Sequence, residues 1–142
     1  LLSMGLSVQD SEVTDPFLGT ERRLRNNGRW FGRMSFRHDI TAWDLSYGFF
    51  YSNSANDGSG RTRVDIFDIE REISDYSIST FVEKKAFNGY TFRFDIQNAN
   101  DNQRCRERTR FLGATVLGIV EEIEDQCSSS GIKYALKVRK TF

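Results

Sequence analysis

Apolar and polar residues alternate with a period of two through nearly the whole chain. This spacing puts successive side chains on opposite faces of a β-strand. Leu2, Met4, Leu6 and Val8 alternate with Ser3, Gly5, Ser7 and Gln9. Trp30, Met34, Phe36 and Ile40 form a second apolar row, with Gly32 and His38 as weaker members, against Arg33, Ser35, Arg37 and Asp39. Trp43, Leu45, Tyr47, Phe49 and Tyr51 then face one way and Asp44, Ser46, Gly48 and Ser52 the other, with Phe50 out of phase. Val64, Ile66 and, after a phase shift at Phe67, Ile69 predict a weaker strand running to about Ile73, the shift being what a β-bulge produces.

The second half repeats the pattern. Tyr76, Ile78, Thr80 and Val82 oppose Ser77, Ser79 and Glu83, and Tyr90, Phe92, Phe94 and Ile96 oppose Thr91, Arg93, Asp95 and Gln97. From about Arg104 to Asp125 the reading stays open, because Phe111 to Val120 is apolar on both faces and Ala114 to Ile123 is equally drawn as a short helix. The last strand is the cleanest, with Ile132, Tyr134, Leu136, Val138 and Phe142 on one side and Lys133, Ala135, Lys137, Arg139 and Thr141 on the other. Three cations on one face cannot line a dry core. The pattern predicts an all-β chain, an antiparallel up-and-down meander of about eight strands that is part of a β-barrel or curled into one.

Connection lengths bear on which kind of barrel. Thr41-Ala42, Ile73-Ser74-Asp75 and Asn98 to Asp101 read as short turns, while Asp15 to Arg29, Asn53 to Arg61 and Gln126 to Gly131 read as the long side. Phe87-Asn88-Gly89 is a tight exception. Short turns on one rim and long loops on the other are the habit of transmembrane barrels.

Composition sharpens this in three ways. The 142 residues carry no linker long enough to separate two cores, so residues 1–142 are read as a single segment. Twenty basic residues balance twenty acidic ones, which removes the net field that nucleic acid would require. No stretch approaches the ~20 apolar residues of a transmembrane helix, but a transmembrane strand needs only about 9 to 11, alternating, so a hydrophilic average is compatible with a membrane. Trp30, Trp43, Tyr51, Tyr76, Tyr90 and Phe142 fall at strand ends, where lipid-facing barrels place aromatic girdles.

Candidate chemistry is sparse. His38 is the only histidine and has no nucleophile at suggestive spacing, so it is read as a rim residue and the chain as no enzyme. Asp65, Asp68, Glu70 and Glu72 are split between faces and lack a glycine-centred calcium loop, and no cofactor or metal site is expected. Arg104, Arg106, Arg108 and Arg110 share one strand face and suit a water-filled lumen, paired with acidic side chains on neighbouring strands. Cys105 and Cys127 lie 22 residues apart on what reads as one ascending strand and its loop; if that strand is straight they are too distant to bond.

The terminal strand Tyr134-Ala135-Leu136-Lys137-Val138-Arg139-Lys140-Thr141-Phe142 resembles the C-terminal signature of bacterial outer-membrane proteins. Phe92-Arg93-Phe94-Asp95-Ile96-Gln97-Asn98 is similar to a stretch near the end of TonB-dependent receptors. Asp10 to Gly19, followed by Arg22 and Arg23, resembles a loop of some large receptors of that family. Ala99-Asn100-Asp101 and Gly131-Ile132 depart from the family's usual residues. The resemblance implies the C-terminal wall of a plugged transporter of roughly 22 strands, its plug domain outside this segment, in the outer membrane of a Gram-negative bacterium. Outer-membrane lipid, the TonB system acting through the plug, and a small-molecule substrate are the implied partners. The substrate classes implied are iron-siderophores, cobalamin or carbohydrates.

On this reading Phe92, Phe94, Tyr134, Leu136, Val138 and Phe142 face lipid, and Arg93, Asp95, Lys133, Lys137 and Arg139 face the lumen. Two alternatives compete: a small eight-stranded outer-membrane barrel with a structural or adhesion role, and a soluble barrel turning its apolar row inward around a small apolar ligand. The first and last strands are expected to be unpartnered edges, open to edge-to-edge self-association.

Overall fold

Strands form wherever the alternation is strict, and their hydrogen-bonding register carries the period-two pattern from one strand to the next. A computed structural model describes residues 1–24, 28–54, 62–74 and 76–141 of the chain. Strand β1 spans Leu2–Val8, β2 Val13–Thr14, β3 Glu21–Arg22 and β4 Trp30–Ile40. Then come β5 (Leu45–Ser54), β6 (Thr62–Val64), β7 (Asp68–Ser74) and β8 (Ser77–Lys85). The chain finishes with β9 (Tyr90–Gln97), β10 (Gln103–Phe111), β11 (Val120–Ser129) and β12 (Lys133–Lys140). The fold is all-β and antiparallel, as the alternation predicts.

Six strands form the main sheet in the order β1-β4-β5-β8-β9-β12, and four form a second in the order β11-β10-β7-β6. The short β2-β3 pair stands apart in the first long loop. The two larger sheets share their ladders. β8 and β9 pair from Lys85↔Thr91 to Thr80↔Ile96, and the same two chain directions continue as β7 and β10 from Ser74↔Arg104 to Asp68↔Arg110. β9–β12 pairing at Gln97↔Lys133 likewise passes into β10–β11 pairing at Gln103↔Ser129. The second sheet is thus an extension of the last part of the first.

Several expectations change here. Ile73 and Ser74 belong to β7, and residues 98–101 join β9 to β10 without reversing the chain, so neither is a reversing turn; Asp75 itself lies outside the described residues. The phase shift at Phe67 is a reversal rather than a bulge, since β6 and β7 pair antiparallel from Val64↔Ile69. Gln126 to Ser129 belongs to β11, and most of the Asn53 to Arg61 loop lies outside the described residues. The stretch that allowed a helix is a hairpin, with only a 3₁₀ turn at Thr115–Leu117 between β10 and β11. That fold-back overturns the separation of the cysteines: Cys105 and Cys127 are register partners, 4.0 Å apart at Cα, and are disulfide-bonded.

The reversals at the opposite end of the main sheet are tight. Thr41–Trp43 form a 3₁₀ turn closed by Asp44 at φ 48, and Phe87–Gly89 form another with Asn88 at φ 58. Both join strands at the same rim, so the tight Phe87–Gly89 connection belongs with the short turns. Neighbouring strands also meet closely at Gly48, where an added Cβ would overlap the Phe36 carbonyl oxygen and sit 2.9 Å from the Phe81 ring.

Two consequences are measurable. Gly48→Ala should destabilise the sheet by about 1–3 kcal/mol through overpacking, read as an unfolding midpoint in detergent. Reducing the Cys105–Cys127 bond, which closes a 22-residue separation, should remove about 3 kcal/mol from the β10–β11 hairpin. Amide exchange should then accelerate in β10 and β11 and stay unchanged in β9 and β12.

Candidate functional site

The main sheet keeps its two kinds of side chain apart. Register pairs such as Met34↔Tyr51, Phe36↔Phe49, Val82↔Phe94 and Leu136↔Phe94 stack the apolar rows of all six strands onto one face. On that face Phe36 stacks on Phe49 at 5.8 Å between centroids and Phe94 on Tyr134 at 6.1 Å. No described residue covers it: Leu136 is 70% exposed and Phe94 41%. Among the described residues the buried side chains are Asp15, Ser46, Asp95, Asn98 and Thr115, every one polar. The molecule is arranged inside out relative to a water-soluble core, in which apolar groups are buried and polar ones exposed.

Aromatics fringe the apolar band at both rims. Trp43 and Tyr90 stand at the tight-turn end; Trp30, Tyr51 and Tyr76 stand at the other, the last two 5.8 Å apart. His38 sits toward the tight-turn end of β4, its Nδ1 3.1 Å from the Tyr47 hydroxyl.

The opposite face carries a continuous charge relay across five strands. Arg37 on β4 donates to Asp39 at 2.9 Å, to Ser46 on β5 at 3.0 Å and to Glu83 on β8 at 3.2 Å. Ser46 in turn donates to Asp39 at 2.5 Å. Glu83 also meets Arg93 on β9 at 3.6 Å, and Arg93 donates to Asp95 at 2.9 Å. Lys137 on β12 lies 2.9 Å from the second Asp95 oxygen, a charge contact rather than an aligned hydrogen bond. Three cations and three carboxylates cancel within the relay. Phe81 lies under it, with the Arg93 guanidinium 4.0 Å from its ring centroid and Arg37 at 5.6 Å, positions suited to cation–π attraction.

The second sheet carries the arginine ladder. Arg106, Arg108 and Arg110 stand opposite Glu72, Glu70 and Asp68 on β7 and opposite Gln126, Glu124 and Glu122 on β11. Arg104 reaches Glu72 at 2.9 Å, Arg108 bonds Asp68, and Arg110 meets Glu122 at 3.2 Å and Glu124 at 3.1 Å. Acidic partners on neighbouring strands are what the sequence pattern anticipates. Asp68, Glu70 and Glu72 share one face, however; only Asp65 departs, because it lies in the turn before β7.

A separate lock holds the loop around β2 and β3. The Asp15 carboxylate is fully buried and accepts Arg22 Nε at 2.6 Å and the Phe17 and Leu18 N–H groups at 2.8 and 3.0 Å. Arg23 adds a 2.5 Å contact to Asp10. Burial pushes the Asp15 carboxyl up, but the hydrogen bonds from Arg22, Leu18 and Phe17 and the Arg22 charge outweigh it and hold the group below its ordinary value.

The chain matches no family model, no curated protein and no solved structure. Its two faces are therefore read from their own chemistry.

Phe92, Phe94, Tyr134, Leu136 and Val138 all lie on the exposed apolar face; Phe142 lies outside the described residues. Arg93, Asp95, Lys133, Lys137 and Arg139 all lie on the polar face, and the relay brings the first two together with Lys137, while Lys133 and Arg139 stay exposed apart from it. Arg37, Asp39, Ser46, Phe81 and Glu83 complete the relay; the alternation puts all but Phe81 in polar rows and marks none of the five as a site residue. An aromatic out of phase in a polar row, with Arg93 on the adjacent strand and Arg37 two strands away, is the signal that Phe81 carried. Among the described residues no group of three or more His, Cys, Asp or Glu is placed to hold a metal ion.

The lowered Asp15 value sets a pH window. Its contribution to loop order is present above the unfolded value of 3.8 and is lost as pH falls through the lower folded value. Amide exchange at Phe17 and Leu18 should stay slow at pH 4 and accelerate only below it, and Asp15→Asn should make it fast at neutral pH.

Proposed function

We propose that this chain is a stretch of wall from an outer-membrane β-barrel of the TonB-dependent receptor kind. Its apolar face would lie against lipid and its polar relay would line the lumen. The observation that carries the reading is the exposed apolar face, with only polar side chains buried among the described residues. In lipid such a face needs no covering layer, and a solvated lumen is where a buried Arg–Glu–Asp relay is tolerated.

Further features support it. The inner four strands of the main sheet run 11, 10, 9 and 8 residues, close to the about 9–11 that cross a bilayer at a tilt. The disulfide at Cys105–Cys127 favours an oxidising compartment. Among the described residues β1 pairs only with β4 and β12 only with β9, and an open edge is not stable in hydrocarbon. Since β1 and β12 run in opposite directions, any strands that close the wall must be even in number. These open edges favour a larger barrel over a small self-closed one. A soluble barrel around an apolar ligand would bury the row that here is exposed. In the whole receptor the wall would serve import of an iron-siderophore, cobalamin or carbohydrate, energised by the TonB system through a plug domain.

Lipid contact can be read directly. In a Trp30→Phe, Trp43→Phe background, a tryptophan placed by Leu136→Trp should be quenched strongly by lipid brominated at mid-chain, and one placed by Lys137→Trp weakly. The reverse ranking would sink the reading. Leu136→Arg should cost about 2–4 kcal/mol of stability in bilayers, falling toward zero for a rim position.

A further inference from the structure

Where the main sheet passes into the second sheet, a recess of about 420 Å³ lies on the polar side, open to solvent. Ser52, Ser74, Ser77 and Ser128 contribute hydroxyls to its walls, together with Asn102 and Arg104. Phe31 adds one aromatic surface.

The corner behind it is firmly built. Asn98 is buried with φ 54; its amide donates to Gly131 O at 3.0 Å, and its Oδ1 accepts the Asn102 N–H at 2.8 Å. Asn100 clamps the adjoining strand, accepting from Ile78 N–H at 2.9 Å and donating to Tyr76 O at 2.7 Å. Three strands thus change direction around a shared set of amide hydrogen bonds, and the concavity is a fixed feature of the backbone.

The lining selects among ligands. Among the described residues Arg104 is the one charged group lining it, and Glu72 sits 2.9 Å from its Nε, so a free anion must compete with that carboxylate and a cation meets a guanidinium. An apolar molecule would strip water from the hydroxyls and amides without replacing those hydrogen bonds. A neutral molecule dense in hydroxyls replaces each one and can lay a C–H face on Phe31. We propose that the recess binds a neutral saccharide chain free in solution, with Ser77 and Ser128 on opposite walls and Arg104 donating to its hydroxyls. The proposal rests on the wall reading, of whose three substrate classes it selects one; a failed saccharide titration leaves the lipid-quenching result untouched, so the two fail separately.

The test uses the full chain in amphipol, which keeps glycoside detergents away. Maltotriose, isomaltotriose, cellotriose and triacetylchitotriose are titrated by NMR, with sulfate and hexanol as anionic and apolar probes. At least one trisaccharide should saturate while sulfate and hexanol do not. Ser128→Val and Ser77→Val should each weaken it roughly tenfold, one lost hydrogen bond's worth. Ser7→Val, on the same face but outside the recess, should leave it unchanged. Both recess substitutions put a β-branched residue in a strand, which favours folding, and a retained amide spectrum checks this. The proposal is overturned if no trisaccharide saturates, if sulfate or hexanol competes, if both recess variants bind as tightly as the parent, or if sugar binds only when lipid-linked.

Discussion

Cross-strand register is the constraint on which everything else in this molecule depends. Because side chains alternate with a period of two, a slip of one residue between any pair of strands would carry charge onto the apolar face and apolar groups onto the polar one. The observed pairings keep Phe36, Phe49, Val82, Phe94 and Leu136 in one layer through successive strands. The same pairings bring Arg37, Glu83, Arg93, Asp95 and Lys137 into one relay. Neither face has an independent means of assembly: the register that aligns the apolar rows is the one that brings the relay's charges together.

Energetics divide unevenly between the two. Solvated ion pairs contribute little individually, about 0–1 kcal/mol, and the exposed ladder of the second sheet is of this kind. The relay of the main sheet differs because Asp95 and Ser46 are buried, where an unpaired carboxylate would be costly. Its charges cancel internally, and Phe81 gives two guanidiniums a further partner. The apolar face contributes nothing in water, where it is a liability; its stabilisation depends on what lies against it.

The extension beyond the main sheet has other supports. The disulfide ties β10 to β11 at the third rung from the end that joins the main sheet, and Thr115 pins the hairpin tip by donating to the Ile66 carbonyl at 2.5 Å. Asn98 and Asn100 hold the bend from which the extension rises, and the recess lies at that bend. Bending a ladder without breaking it requires residues that accept positive φ and satisfy displaced backbone groups; Asn98 and Asp101 take φ 54 and 48, and the Asn98 and Asn100 side chains bond the backbone.

Much of this was legible in the sequence. Strand class, the composition of each face, the arginine ladder's need for acidic neighbours and the aromatic rims follow from period-two spacing, which is a local property. What local spacing cannot report is whether the chain reverses or merely bends where the alternation is interrupted. The Asn98 to Asp101 segment has the composition of a turn and behaves as a kink, while Phe67 has the look of a bulge and marks a reversal. The cysteines illustrate the cost: on an assumed straight strand they are far apart, and on the hairpin that forms they are partners. The relay's geometry, the recess and the disulfide were decided by tertiary structure, because each joins residues whose proximity depends on where the ladder turns. The amino-acid sequence by itself determined the two faces, since each residue's side of a strand is set by counting in twos.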